Sequence, residues 1–383
     1  MAETSLTAAF AGAAATCAGN GLARFAFVPL FPALVTAGWV TGPEAGTLGA
    51  ANLAGYLMGA VGAQAIGRRL GTRASLGLGM GGLVVSLLLC AVPGGLAWLL
   101  PWRLLAGVAA GILMSLAGPA AQRAAPPGLR GLSSGIVIGG VGAGIALGAV
   151  AVPVFLLGGP SLGWIGLAGL TALLWLYAQP RFPADEGGHV PGGRPPLMPF
   201  LLLAYALSGA GLVPHMIYLA DFAARGFGLG VTAGSLIWLL FGLGGLIGTL
   251  LAGRAADRLG GPVAARLWMG AQVLALGLAM LPWWPALLLS ALAGGFAAVG
   301  ISAVTLAWAR EVAGTATGTL WVRATVGFAV AQASFGFGFA ALFAATGESH
   351  AAVFLGGLLF SLAGLGATLA PQPRTLTARG TPG

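Results

Sequence analysis

The sequence predicts an all-α membrane protein: twelve transmembrane helices, arranged as two pseudo-symmetric six-helix bundles. Three observations predict it. Of 383 residues, 58% are hydrophobic and 7% charged, against about 25% charged in a soluble domain. So few polar residues cannot shield that much apolar surface from water, so the solvent must be lipid. The apolar residues also fall into twelve blocks, each near the ~20 residues that cross a bilayer as a helix. Finally, all 17 basic residues are arginine, and most lie in every second gap between blocks.

The first six blocks cover residues 6–36, 43–66, 74–92, 96–122, 132–157 and 162–178. The last six cover 197–222, 231–252, 263–281, 284–309, 315–345 and 351–370. Glu3 precedes the first block without a basic leader, so that block reads as a retained span and not a cleaved signal. The fifth carries Gly131, Gly135 and Gly139, then Gly140, Gly144 and Gly148. Glycines spaced by four make a smooth face for close helix contact, along which a partner can rock. Pro and Gly fill the gap around Asp185, Glu186, His189 and Arg194. The organisation expected is a bundle over 1–179, a linker over 180–196 and a second bundle with a short tail over 197–383.

With the N-terminus inside, the inner segments hold Arg68, Arg69, Arg73, Arg123, Arg130, Arg181, Arg194, Arg254, Arg258, Arg266, Arg310, Arg374 and Arg379, whereas the outer loops hold Arg225 alone. Such an excess marks the cytoplasmic side, so both termini are expected in the cytoplasm. The halves also repeat. Gly71 aligns with Gly260, Pro93 with Pro282 and Ala178 with Ala367, each 189 residues apart (260 − 71 = 189). Six is an even number, so both copies have one orientation, related by an axis along the membrane normal.

The loop from Gly253 to Gly260, reading GRAADRLG with Asp257 and Arg258, resembles the signature loop of the major facilitator superfamily. The first-half loop keeps Arg69, Gly71 and Arg73 but has Arg68 where that family has an acid. The resemblance implies a conformational loop whose charges hold the inward-closed state, and the departure weakens that lock in the first half. Arg103 with Gly107 and Gly111 resembles the family's helix-four arginine motif. The fifth block resembles its glycine-rich motif without the usual proline. Residues 21–32 (GLARFAFVPLFP), 51–60 (ANLAGYLMGA) and 213–226 (VPHMIYLADFAARG) are similar to the YbfB/YjiJ-like bacterial branch. This membership implies a central cavity lined by helices one, four, seven and ten, and transport by alternating access about a midplane site.

Ionisable groups at bilayer depth cost at least ~2.5–3.5 kcal/mol and face a cavity or a partner. Arg24, Arg103 and Arg323 sit at such depth. A guanidinium grips a carboxylate through a planar fork, so Arg24 and Arg103 are candidate anion-binding residues. The alternative is that each is paired internally or caps backbone carbonyls. Arg323 is near enough to the inner surface to snorkel. Asp221 and His215 are candidates for proton coupling, with a gate-like Asp221–Arg225 pair as the competing reading. Asn20, Asn52, Tyr56, His215, Tyr218 and Trp238 are further candidates to line a solute site.

Other classes fall away. The arginines follow topology and form no long basic tract, which excludes nucleic acid. Cys17 and Cys90 imply neither a disulfide framework nor a metal site. No phosphate-cradling loop and no metal-ligand spacing exists, so no enzyme and no cofactor are expected. The expected partners are a small-molecule solute and membrane lipids, and the chain shows no sign of an obligate oligomer. The function expected is secondary transport of a small organic anion, proton-coupled or not. The alternatives are an exporter of drugs or metabolites with an apolar cavity, and a solute sensor that does not transport.

Overall fold

The computed structural model describes residues 2–183 and 196–370. Among them are only helices and short connections. Helix α1 covers residues 2–36, as Ala2–Thr16, a π-helical stretch Cys17–Phe25, and Phe27–Thr36. The first half continues with α2 (Gly42–Leu70), α3 (Thr72–Leu89), α4 (Gly95–Ala124), α5 (Arg130–Phe155) and α6 (Pro160–Ala178). Helix α7 runs over residues 199–226, as Pro199–Ile217, Leu219–Asp221 and a π turn Phe222–Gly226. Then come α8 (Gly230–Leu259), α9 (Gly261–Ala279), α10 (Trp284–Ala313), α11 (Thr317–Ala345) and α12 (His350–Leu369). Ten segments are long and apolar enough to span a bilayer. One of them, Leu132–Arg181, covers α5 from Leu132 onward and all of α6. Helix α2 is not among them, because glycine, Asn52, Gln64 and its terminal arginines dilute its hydropathy.

The sequence repeat is also a repeat of geometry. Gly71 ends α2 at φ 79°, ψ 157°, and Gly260 ends α8 at φ 81°, ψ 153°. Only glycine adopts this left-handed backbone without strain. A Cβ on Gly55 would lie 2.1 Å from the Leu104 carbonyl oxygen, and one on Gly244, 189 residues on, 2.0 Å from that of Leu292. Gly59 and Gly248 repeat this against the Val108 and Phe296 carbonyls, at 2.0 and 2.1 Å. The α2–α4 and α8–α10 pairs are thus in backbone contact in each half. Without a hydrophobic drive between helices in lipid, such close van der Waals contact supplies the adhesion.

On α5 the glycines divide. Gly140, Gly144 and Gly148 meet Ala13, Thr16, Cys17, Gly21 and Ala26 of α1, whereas a Cβ on Gly135 or Gly139 would find no neighbour within 4 Å beyond its own helix backbone. The face formed by Gly140, Gly144 and Gly148 therefore grips a helix of its own half. The contact with the second half uses Gly142 against Leu246, and Gly242 against Ile145.

One end of the bundle carries the arginine-rich junctions, including those at Gly71 and Gly260; the opposite, far end carries Arg225. At the far end α2 and α11 touch, with Gly336 against Ala50 and Leu53. Toward the arginine-rich end both helices become more exposed. Along α2, Ala50 is 0% exposed, Met58 58% and Val61 62%; along α11, Gln332 is 3%, Val326 37% and Val322 60%. The halves are shut at the far face and diverge toward the arginine-rich one.

Candidate functional site

Helix α1 is wound as a π-helix across the middle of the bundle. There the Ala26 N–H reaches back five residues to the Gly21 carbonyl at 3.1 Å. Such stretches recur at functional sites because they re-aim side chains and carbonyls. Glycine permits it here: Gly19 and Gly21 lie so close to α4 and α5 that a Cβ would meet backbone, at 3.2 Å from Ala110 and 2.3 Å from Gly144.

This stretch aims Arg24 into the space between the halves. Its guanidinium stacks over Tyr56 of α2, 4.6 Å from the ring centre, and lies 5.2 Å from that of Phe25. Nη2 donates to Gln332 Oε1 on α11 at 2.9 Å, while Nε is buried without a partner. No carboxylate pairs with Arg24 among the described residues. A narrow space of about 10 Å³ beside it is bounded by Asn52, Arg103, Phe27, Met216 and Ile217, room for roughly one water.

Arg103 shares the buried, unpartnered Nε but is otherwise held differently. It is buried, and Nη1 donates to the Ala23 carbonyl at 2.7 Å. Its guanidinium lies 4.4 Å from the Phe27 ring centre and 5.6 Å from that of Trp164. Asn52 donates to the Arg103 carbonyl at 3.1 Å. Arg103 therefore braces the π-helical stretch, with only one side facing the central space. Asn20 is buried beside Tyr56, its Oδ1 unpartnered. Trp238 of α8 is buried against Phe241 and reaches across the halves to Phe25, with ring centres 4.5 and 6.0 Å apart. Arg323 is exposed on α11.

Three expected site residues lie elsewhere. His215 is buried within the second half, Nε2 2.9 Å from Ser290 Oγ, its ring against Phe354. Tyr218 packs between Phe31 of α1 and Phe343 of α11, its hydroxyl against Gly46 of α2. Asp221 is fully buried at the far end, where the π turn folds Arg225 back onto it. Arg225 Nε and Nη2 donate to its two oxygens at 2.6 and 2.7 Å. His350 Nε2 is 2.7 Å from Asp221 Oδ2.

Arg225 also donates to Glu348 Oε2 at 2.6 Å, and Glu348 Oε1 accepts from the Gly42 N–H at 3.2 Å. Gly42 opens α2 behind a capping box in which Thr41 and Glu44 satisfy each other's backbone N–H groups. Glu348 takes a left-handed backbone, φ 65°, a conformation costing about 1–2 kcal/mol. The ion pair and the bond to the α2 terminus offset that cost. Partial burial alone would lower the Arg225 pKa, but Asp221 and Glu348 outweigh it and raise it above the ordinary value. The cluster ties α7 and the α11–α12 turn to α2, across the halves. At the opposite end, Arg69, Arg73, Asp257 and Arg258 form no ion pair among the described residues.

Sequence reasoning missed Gln332, Glu348 and His350. Gln332 and His350 sit on helices that the expected cavity lining omitted. Glu348 stands in a turn of no recognised motif; its one signal is an acid beside the sole arginine-bearing outer segment.

The family described as uncharacterised MFS-type transporter YbfB matches residues 16–368. A chloramphenicol resistance protein of Streptomyces lividans is 31% identical over 301 residues, covering 72% of this chain and 71% of its own. Among solved structures, a D-xylose-proton symporter superposes with a TM-score of 0.71 at 15% identity, over 95% of this chain and 97% of that chain. A POT family transporter in complex with 5-aminolevulinic acid gives 0.74 at 12% identity, over 95% and 94%. These two share the fold. With its π-wound first helix, its matched glycine junctions and a match over nearly its whole length, the chain belongs to the YbfB-type family of the major facilitator superfamily and is a multi-pass membrane transporter.

Proposed function

We propose that the protein carries a small organic anion across the bacterial inner membrane by alternating access, gripping the carboxylate with Arg24. One observation carries this reading: the Arg24 guanidinium lies between the halves with its Nε unpaired and a neutral amide as its polar partner. A charge left uncompensated at this depth is costly, and a passenger with a carboxylate removes that cost. Phe25, Tyr56 and Trp238 offer apolar contact to the rest of the molecule. The arginine bias supports cytoplasmic termini, and with that orientation the observed divergence is an inward-facing state. We read residues 1–179 and 197–383 as the rocking units, in a monomer. Asp221 is assigned to the outer latch, where its oxygens are occupied, and not to proton transfer.

A second reading is export of a neutral aromatic compound. The Streptomyces relative favours it, as do the rings around Arg24. Flux into proteoliposomes separates the two. Aromatic and aliphatic carboxylates should enter through the native protein, and Arg24→Gln should slow them by tenfold or more, roughly the loss of one charge-assisted bond. Chloramphenicol flux that survives Arg24→Gln, with no carboxylate flux in either protein, would establish the exporter instead. A protein that binds solute without moving it would be a sensor.

A further inference from the structure

We propose that Gln332 is the internal stand-in for the passenger's carboxylate, and so a specificity-determining residue on the half opposite Arg24. The proposal rests on the anion reading of Arg24. Two arginines in this structure show the contrast. On Arg225 the Nε–Nη2 fork is filled by both oxygens of Asp221. On Arg24 the same fork is half filled, with Nη2 on Gln332 Oε1 and Nε empty. A guanidinium has no acceptor, so the amide must turn its oxygen toward it. The other end of that amide donates to Met216 Sδ at 3.0 Å, and a thioether is a weak acceptor. Gln332 is thus held firmly only at the end that a solute carboxylate would take over.

A carboxylate fills both prongs and brings charge, which makes it the stronger partner. It displaces the amide. Arg24 is on α1 and Gln332 on α11, so displacement also removes a polar tie between the halves at mid-depth. Ligand binding and release of that tie become one event, and a solute without a carboxylate cannot drive it.

The test uses the purified full-length protein in detergent, with unfolding temperature as readout, benzoate as probe and benzamide as its neutral counterpart. Gln332→Glu supplies a permanent carboxylate. It should raise the unfolding temperature by about 3 °C or more without any solute, and it should erase the shift that benzoate gives the native protein. In the Arg24→Gln background the rise should vanish. Gln332→Leu removes the competitor, so its benzoate shift should exceed the native one while benzamide shifts neither. No rise with Gln332→Glu, or a rise that persists without Arg24, would overturn the proposal. Should Gln332→Glu fail to fold, a smaller benzoate shift in Gln332→Leu would overturn it. If Gln332→Glu stabilises but benzoate shifts neither protein, Gln332 is the partner described here and the anion reading is what fails.

Discussion

At the scale of single residues, three arginines chosen for one property turn out to have three fates. Arg103, although its Nε too is unpartnered, is bonded to the Ala23 carbonyl and held between aromatic rings. Arg323 is exposed. Arg24 keeps an open prong beside the central space. The sequence made their depth legible, since depth follows from block boundaries. It could not make their partners legible, because partners come from helices far away in the chain. Gln332, 308 residues from Arg24, had no pattern to mark it. Arg103→Met should destabilise the protein by roughly 2–4 kcal/mol, from an orphaned carbonyl and lost ring contacts. Thermal unfolding checks this, and an unchanged unfolding temperature would show that the brace at Ala23 matters little.

At the scale of elements, the bundle is held by glycine more than by bulk. The α2–α4 and α8–α10 contacts use Gly55, Gly59, Gly244 and Gly248, where a side chain would collide with backbone. Gly59→Leu and Gly248→Leu should each cost more than about 3 kcal/mol, as overpacking against atoms that cannot move aside. Size-exclusion profiles of the detergent-extracted variants should show aggregate in place of a monodisperse peak. Gly135→Leu, where a Cβ would find no neighbour within 4 Å beyond its own helix backbone, should keep that peak. The repeat was legible from the loop motifs at Gly71 and Gly260, and hydropathy marked the helices. The π-helical winding of residues 17–25 was not, because a π turn has no hydrophobic period of its own and depends here on how closely α4 and α5 approach. The helix-five glycines were recognised as a contact face, but which neighbour they would grip was a tertiary fact.

At the scale of the whole molecule, the two ends are unequal. The far end has Asp221, Arg225, His350 and Glu348 joined to the start of α2, with Tyr218 seated on Gly46 beneath. At the arginine-rich end Arg69, Arg73, Asp257 and Arg258 form no matching ion pair among the described residues. Removing a far-end contact should therefore shift the population toward opening there, by as much as that contact favours the shut state. Glu348→Gln keeps the shape and removes the charge. Spin labels at the far ends of α2 and α11 should show a longer-distance population that the native protein lacks. Identical distance distributions would remove Glu348 from the latch.

The central claim is that Arg24 holds an unpaired positive charge for an anionic passenger. The unfolding temperature of native protein and Arg24→Gln, measured against matched organic acids, amines and neutral amides, tests it most directly. A ligand at a hundred times its Kd stabilises by about 2.7 kcal/mol, a shift of several degrees. The account predicts that acids shift the native protein, that their amides do not, and that Arg24→Gln responds to neither. Stabilisation by amines alone, or by acids equally in both proteins, would contradict it.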